Sequence, residues 1–196
     1  MFRTGLEISF LEFKGEIKTE KISELTKEVD RRDKLIKTYD EFFTEVSENQ
    51  KKPNYNSSNI EELSNLTLED FRRILQGTRL EGLEYAYLYA EEKYGINAIF
   101  LYALTVHESA HGTSRLAREK NNLTGFGAFD SDPFNSAFTF ESFSACVLHT
   151  AKALRTHYID NGLTSTQRIN SRYATDTEWF IKINAIANRA LRSIEN

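Results

Sequence analysis

The spacing of hydrophobic residues divides the chain into regions of different character. Near the N-terminus, Leu6, Ile8 and Phe10 alternate with polar residues, which predicts a short, half-buried strand. From about Lys18 the apolar residues recur every three or four positions, which predicts a helix with one narrow apolar stripe. The stripe consists of Ile22, Leu25, Val29, Ile36, Tyr39, Phe43 and Val46, with Arg32 as its gap. Such a stripe needs a surface that covers it. The pattern does not decide whether that surface belongs to the chain's own domain, to a second copy of the chain or to a different protein.

The composition of the first part of the chain also sets it apart. Residues 1–52 contain 11 Lys+Arg and 12 Asp+Glu. The following stretch, Ser47 to Asn59, has no aliphatic residue and contains one of the two prolines, which is typical of a linker. We therefore predict a strand and a helical or coiled-coil appendage at residues 1–52 and a linker at residues 53–59. Residues 60–196 are predicted to form one domain, large enough for a catalytic domain.

Capping residues and apolar spacing predict helices through most of residues 60–196. Thr67 begins a short helix, Asn97 caps a helix with an apolar face, and Thr175 with Glu178 forms a capping-box pattern before the last helix. Residues 121–140 differ, because glycine, proline, asparagine and alternating aromatic residues predict short strands and turns. The predicted fold class is therefore α+β, mostly α-helical, with a small β lobe between helices.

Composition and charge exclude several classes of function. A content of 40% hydrophobic and 28% charged residues is typical of a folded globular protein. The net charge of −4 argues against broad nucleic-acid binding, which requires a basic face. No apolar run approaches the roughly 20 residues of a membrane span. Glu7 and Glu12 interrupt the N-terminal apolar residues, so the sequence predicts no signal peptide.

Residues His107 to His111 match the zinc-hydrolase motif H-E-x-x-H, in which two histidines on one helical face bind the metal. Zinc requires a third protein ligand, and Ser114 replaces the glycine of the extended motif. His149 and His157 lie on a later helix with no evident reason to converge on the first pair. We therefore predict no metal and no cofactor, and the zinc hydrolase remains a remote alternative.

Glu108 has a second interpretation, because it lies at the end of an apolar helix beside the predicted lobe. Desolvation of a half-buried carboxyl group disfavours its charged form and raises its pKa. Such a group donates a proton near neutral pH, as the general acid of a glycosidase must.

Six short motifs of the second part of the chain support this interpretation by their order and spacing. They are Leu80–Leu83, Tyr94–Asn97, Glu108–Ser109 followed by Gly112–Ser114, Asn121–Leu123, Gly125–Ser131 and Tyr173–Asp176. Together they make residues 67–190 resemble the bacterial glucosaminidase domain related to glycoside hydrolase family 73. The resemblance implies a lysozyme-like fold and cleavage of peptidoglycan.

The resemblance also implies residue roles. The family's catalytic acid precedes Ser-x-x-Gly-Thr-Ser and corresponds to Glu108, and its active-site tyrosine in Tyr-Ala-Thr-Asp corresponds to Tyr173. Two positions depart from the family pattern: an aromatic residue is usual where His111 stands, and phenylalanine is usual where Thr124 stands. Both positions concern sugar contacts, so the preference among subsites is expected to differ.

Glycoside hydrolysis commonly uses a second carboxylate as base or nucleophile. Glu141 follows the lobe at the start of a helix and is the predicted second carboxylate, with Asp130 and Asp132 as alternatives. The acetamido oxygen of GlcNAc is another alternative, because it can attack the anomeric carbon itself. The predicted substrate-binding residues are His111, Asn122, Gly125, Phe126, Gly127, Phe129 and Asp130.

The predicted function is hydrolysis of the β-1,4 bond after GlcNAc in the glycan strands of peptidoglycan. A wall-degrading domain without a signal peptide suggests a phage lysin, made in the host cytoplasm and either released by a holin or mounted on the virion. Residues 1–52 would then form a homo-oligomer or bind a virion or tail partner. A wall-binding or virion structural module of the same fold, without activity, is the alternative.

Overall fold

The computed structural model describes residues 21, 24, 27–41, 51–129 and 132–195. The chain divides into two compact units, Met1–Val46 and Ser47–Asn196. In the first unit, residues 27–41 are helical, and Val29 and Ile36 of the apolar stripe are exposed. The strand predicted at residues 6–10 and four members of the stripe lie outside the described residues, namely Ile22, Leu25, Phe43 and Val46. The coiled coil therefore stays a prediction.

The second unit is a bundle of helices, and no strand occurs in residues 51–129 or 132–195. Its helices are α1 (Leu68–Leu75), α2 (Glu84–Tyr94), α3 (Ala98–Ser109), α4 (Arg115–Lys120), α5 (Pro133–Ser136), α6 (Phe143–His157), a 3-10 turn (Ile159–Asn161), α7 (Thr166–Tyr173) and α8 (Trp179–Ile194). None of the helices in the described part is long and apolar enough to cross a membrane. The predicted, mostly helical fold class is confirmed.

Helix α3 lies at the centre of this unit, in contact with α2, α6 and α8. Every residue from Ala98 to Val106 is buried, because the helix is apolar around its whole circumference. The amide of Phe100 donates to the side-chain oxygen of Asn97 at 3.1 Å, which confirms the predicted cap. The buried carboxylate of Glu91 accepts from the amide of Ala98 at 2.9 Å. The N-terminal end of α3 is therefore held by two side chains.

The predicted starts of two other helices had different outcomes. Thr67 caps α1 in a complete capping box, since its hydroxyl accepts from the amide of Asp70 and the Asp70 carboxylate accepts from the amide of Thr67. The box predicted from Thr175 and Glu178 is wrong, because α8 begins at Trp179 and Glu178 makes no capping hydrogen bond. Asp176 instead accepts from the amide of Glu178 and closes the preceding turn.

The residues just before Ile60, which the sequence predicts as a linker, lie against the helical unit. The amide of Thr166 donates to the carbonyl of Ser57 at 3.0 Å, and the Asn97 side chain donates to the carbonyl of Asn54 at 3.1 Å. The amide of Ile60 donates to the carbonyl of Thr164 at 2.8 Å. This part of the chain therefore contributes to the packing of the second unit.

The lobe at residues 121–129 and 132–140 contains turns and the short helix α5, so the strands predicted there are wrong for the described residues. The side chain of Asn122 explains the difference. It accepts from the amides of Thr124 and Phe126 and donates to the carbonyls of Phe126 and Phe138. Together with the backbone bond from the amide of Phe138 to the carbonyl of Phe126 at 2.9 Å, this buried amide group holds the lobe in turns.

Candidate active site

The C-terminal end of α3 is a tight turn that positions Glu108. Helix α3 ends at Ser109, and the next three residues, Ala110, His111 and Gly112, have φ values of 50°, 57° and 76°. The hydroxyl of Ser109 accepts from the amide of Gly112 at 2.8 Å and donates to the carbonyl of Thr105 at 2.5 Å. The Glu-Ser-x-x-Gly motif thus contains Glu108 together with two residues that build the turn beside it.

Glu108 lies in a groove of about 470 Å³ between the lobe and helix α6. The lobe contributes Thr124, Gly125, Phe126 and Gly127, helix α6 and the residue after it contribute Thr150, Ala153, Leu154, His157 and Tyr158, and Tyr173 ends α7. The groove therefore combines one carboxyl group with aromatic and small side chains. Such a lining suits a sugar, which presents apolar faces and hydroxyl groups.

The carboxyl group of Glu108 accepts a hydrogen bond from a side chain of helix α8. The indole nitrogen of Trp179 donates to Oε1 of Glu108 at 2.9 Å. Burial raises the pKa of the Glu108 carboxyl group, and the Trp179 hydrogen bond and the charge of His107 oppose that rise. Because the indole bond occupies Oε1, Oε2 is the oxygen suited to carry the acidic proton.

Tyr173 lies beside this pair. Its ring centroid is 4.8 Å from that of Trp179 and 6.0 Å from that of Tyr158. Burial, followed by the nearby Glu108 carboxylate, raises the pKa of Tyr173 well above its usual value. The phenol therefore stays protonated at working pH and remains a hydrogen-bond donor in the groove.

Three predicted substrate-binding residues lie in the groove: Gly125, Phe126 and Gly127. Gly127 has a φ of 77°, and a Cβ atom at this position would lie 2.5 Å from the ring of Phe138. Only glycine fits this conformation and this close approach of an aromatic ring. Phe126 packs edge to face on His149 at 4.5 Å, so one wall of the groove is an aromatic cluster.

Two predicted residues of the lobe lie elsewhere, and one lies outside the described residues. Asn122 is buried and bonded to backbone groups of the lobe, so it holds the wall rather than lining the groove. Phe129 is 68% exposed and does not line the groove. Asp130 lies outside the described residues.

The two described candidates for the second carboxylate do not line the groove with Glu108. Glu141 is exposed directly before Ser142, the residue that caps α6. Asp132 caps α5, where hydrogen bonds from Asn135 lower the pKa of its carboxyl group. Among the described residues that line this groove, Glu108 is the only carboxylate.

The two histidines of the H-E-x-x-H pattern lie in a different cavity, of about 480 Å³, between α1, α3 and α8. His107 and His111 line it together with apolar side chains, which include Ile74, Val106 and Ile186, and with Arg189. The predicted substrate-binding residue His111 is therefore outside the Glu108 groove. Within the part of the chain that the structure describes, no three His, Cys, Asp or Glu side chains are grouped to hold a metal.

Sequence reasoning missed Trp179, His157 and Tyr158, and it did not identify helix α7, which carries Tyr173. Trp179 is the single tryptophan of the chain and follows the Tyr173–Asp176 motif by three residues. That position was a usable signal, since a tryptophan beside an active-site motif is suited to donate its indole hydrogen bond. No comparable signal marks His157 or Tyr158.

Relatives with similar sequences are bacterial proteins of much greater length. A protein of Streptococcus pneumoniae named as an endo-beta-N-acetylglucosaminidase is 32% identical over 136 residues, which span 65% of this chain and 21% of that protein. The bifunctional autolysin of Staphylococcus aureus is 24% identical over 155 residues, which span 64% of this chain and 12% of that protein.

Solved structures show the same fold. A catalytic mutant of S. aureus autolysin E in complex with the disaccharide NAG-NAM matches with a TM-score of 0.61 and 22% identity, over 78% of each chain. Autolysin E in complex with the muropeptide NAM-L-Ala-D-iGlu matches with a TM-score of 0.60. The family model for glucosaminidases, described as mannosyl-glycoprotein endo-beta-N-acetylglucosaminidase, matches residues 84–192, and the chain therefore belongs to this family of glycoside hydrolases.

Proposed function

We propose that the chain hydrolyses the β-1,4 bond that follows GlcNAc in peptidoglycan, with Glu108 as the general acid. The single observation that carries this proposal is the half-buried Glu108 carboxyl group, raised in pKa and held by Trp179 in an open groove. The ligands of autolysin E, NAG-NAM and a muropeptide, support the substrate class. The presence of Glu108 and Tyr173 in one groove favours an enzyme over a non-catalytic wall-binding or virion module.

The groove suggests how the reaction proceeds. Glu108 donates its proton to the glycosidic oxygen of the leaving sugar as the bond to the anomeric carbon breaks. Because no second carboxylate lines the described groove, we assign the attack on the anomeric carbon to the acetamido oxygen of GlcNAc itself. Water then opens the oxazolinium ion, and its proton returns to Glu108. The hydroxyl of Tyr173 orients the acetamido group.

Mass spectrometry of muropeptides after digestion of purified peptidoglycan tests the activity. Reducing-end GlcNAc is the expected product, and Glu108→Gln should release none above background. Reducing-end MurNAc would mean a muramidase, and anhydro-MurNAc would mean a lytic transglycosylase. A protein that sediments with the wall but releases no fragment would support the non-catalytic module.

The assignment of the nucleophile has its own test. Peptidoglycan with de-N-acetylated glucosamine lacks the attacking oxygen, so the wild-type chain should leave it uncut. Glu141→Gln should keep nearly normal turnover on the acetylated substrate. If Glu141→Gln or Asp130→Asn loses as much activity as Glu108→Gln, that residue supplies the second carboxylate instead.

We also propose a phage-lysin role, in which residues 1–52 join two copies of the chain or bind a virion partner. The support is the exposure of Val29 and Ile36, at 54% and 48%, on one helix of the first unit. Light scattering compares the full chain with residues 51–196, which retain the hydrogen bonds of Asn54 and Ser57. The full chain should be larger than a monomer and the shortened chain monomeric. Self-association would be contradicted if the full chain scattered light as a monomer and the Val29→Glu variant had the same apparent mass.

A further inference from the structure

A second cavity, of about 560 Å³, begins where the catalytic groove ends. Tyr173 lines both cavities, so its side chain forms the boundary between them. The walls of the second cavity come from α7, the turn after it and the start of α8: Gln167, Asn170, Ser171, Arg172, Ala174, Thr175, Thr177 and Phe180. The two cavities are therefore adjacent, with Tyr173 between them.

The second cavity carries a positive charge. Arg172 lines it, and helix α7, Thr166–Tyr173, contains two arginines and no acidic residue. The charge of Arg172 also acts on Tyr158, a residue of the catalytic groove, and opposes the rise of its pKa on burial. The nearby carboxylate of Asp176 is paired with Lys182 at 2.5 Å. Arg172 is therefore the one charged side chain among the described residues that line this cavity, and its charge favours an anion.

The turn that forms the cavity wall is held in place by internal hydrogen bonds. The side chain of Asn170 donates to the carbonyl of Asp176 at 2.8 Å and accepts from the amide of Phe180 at 3.3 Å. A preformed wall lowers the entropy lost when a ligand binds. The hydroxyl groups of Thr175 and Thr177 add polar lining at the same edge.

We propose that this cavity binds the peptide stem of a MurNAc residue next to the cleaved bond, with Arg172 contacting a stem carboxylate. The inference rests on the proposed peptidoglycan substrate. A guanidinium group can donate to the hydroxyls of a neutral sugar, but a stem peptide carries free carboxylates that form stronger, bidentate hydrogen bonds with arginine. Arg172 is therefore a specificity-determining residue for stem-bearing glycan.

The test compares two glycans, intact strands with their stem peptides and the same strands after an amidase has removed the stems. The wild-type chain should have the higher kcat/KM on the stem-bearing strands. Arg172→Gln should lower that kcat/KM about tenfold, because a hydrogen bond to a charged group is lost, and should leave the stripped strands unaffected. Arg168→Gln is the matched control, since it removes the same charge from α7 at a residue that does not line either cavity.

A measurement on the wild-type chain keeps the inference falsifiable if the variant does not fold. The muropeptide MurNAc-L-Ala-D-iGlu, with both carboxylates of its isoglutamate free, should inhibit more strongly than its diamide. The stem-binding role would be overturned by equal inhibition by the two muropeptides or by equal turnover of the two glycans. It would also be overturned if Arg172→Gln lost the same activity on both glycans, which would indicate that Arg172 contacts the sugar chain. If the wild-type chain cuts neither glycan, the proposed function itself fails.

Discussion

Two cavities of nearly equal volume, about 470 and 480 Å³, flank the C-terminal end of helix α3, and one five-residue stretch contributes to both. Glu108 lines the first cavity, and His107 and His111 line the second. Neighbouring residues of an α-helix point in directions about 100° apart, so His107 and Glu108 diverge although they are adjacent in sequence. The H-E-x-x-H pattern is thus divided between two environments and does not form one metal site.

The residues around each cavity explain why only one of them is suited to acid catalysis. In the first cavity the half-buried carboxyl group of Glu108 accepts a hydrogen bond from the indole of Trp179 and lies near the protonated Tyr173. In the second cavity the histidines lie among aliphatic side chains, and the charge of Arg189 acts on Tyr102. The local motif contains an acid and two imidazoles, but the contacts made by α8 decide which of them can donate a proton to a substrate.

The largest effect should come from removing the acid. Glu108→Gln keeps the shape of the side chain but has no proton to donate, so turnover should fall by about 10²–10⁴-fold. Release of reducing ends from purified walls measures the loss, and circular dichroism checks the fold. Near-normal turnover would show that Glu108 is not the general acid. The functional difference between the two cavities would then also be contradicted.

The turn between the cavities is the next sensitive point. Gly112 has a φ of 76°, and a Cβ atom there would lie 3.1 Å from Leu80. Gly112→Ala should lower the free energy of unfolding by about 1–3 kcal/mol and reduce activity, since Glu108 precedes the turn. Gly162→Ala is the control, because Gly162 has a similar φ but open space around it. Chemical denaturation should show a smaller loss there, with normal activity.

The hydrogen bond from Trp179 should control the pH dependence. This bond lowers the pKa of Glu108, so Trp179→Phe should raise that pKa further and move the alkaline limb of the activity profile to higher pH. Turnover below that limb should fall about tenfold as the acid loses its orientation. Tyr173→Phe, which leaves the indole bond in place, should not move the limb upward. An unchanged limb in Trp179→Phe would contradict the role of the indole.

Stability should depend on pH in a way that identifies the same carboxyl group. The folded-state pKa of Glu108 is raised, so its contribution to stability is present below the unfolded-state pKa and is lost as pH rises through the folded-state pKa. In Glu108→Gln this loss should be absent, and thermal melts should show a flatter pH profile than the wild-type chain. If the melting temperatures of the variant and the wild-type chain changed with pH in parallel, burial would not raise the pKa of Glu108.

The smallest effect should come from the cavity lined by His107 and His111. His111→Ala should lose far less activity than Glu108→Gln, and EDTA should leave turnover intact, because the histidines do not line the groove that contains the acid. Stoichiometric zinc in the purified protein, together with activity that a chelator abolishes, would restore the zinc-hydrolase interpretation.

Local sequence was sufficient for the features that depend on neighbouring residues. The caps at Thr67 and Asn97 and the apolar helix that carries Glu108 follow from short-range hydrogen bonds and helical spacing, and all three are present. The exact end of this helix was not evident from the sequence, because nothing in the pattern through His111 indicates that Ala110 is already left-handed. The strands expected after Asn121 also failed, because the Asn122 side chain bonds the backbone of the lobe.

Tertiary structure decided how the site is assembled. Trp179 and Glu108 are separated by 71 residues, and their hydrogen bond exists only because α8 packs against α3. The same packing forms the separate cavity that His107 and His111 line. The position of α7 places Tyr173 in the groove with Glu108. The sequence by itself identified the types of residue that form the site. The direction in which each side chain points and its exposure to solvent depend on long-range packing, which no local pattern encodes.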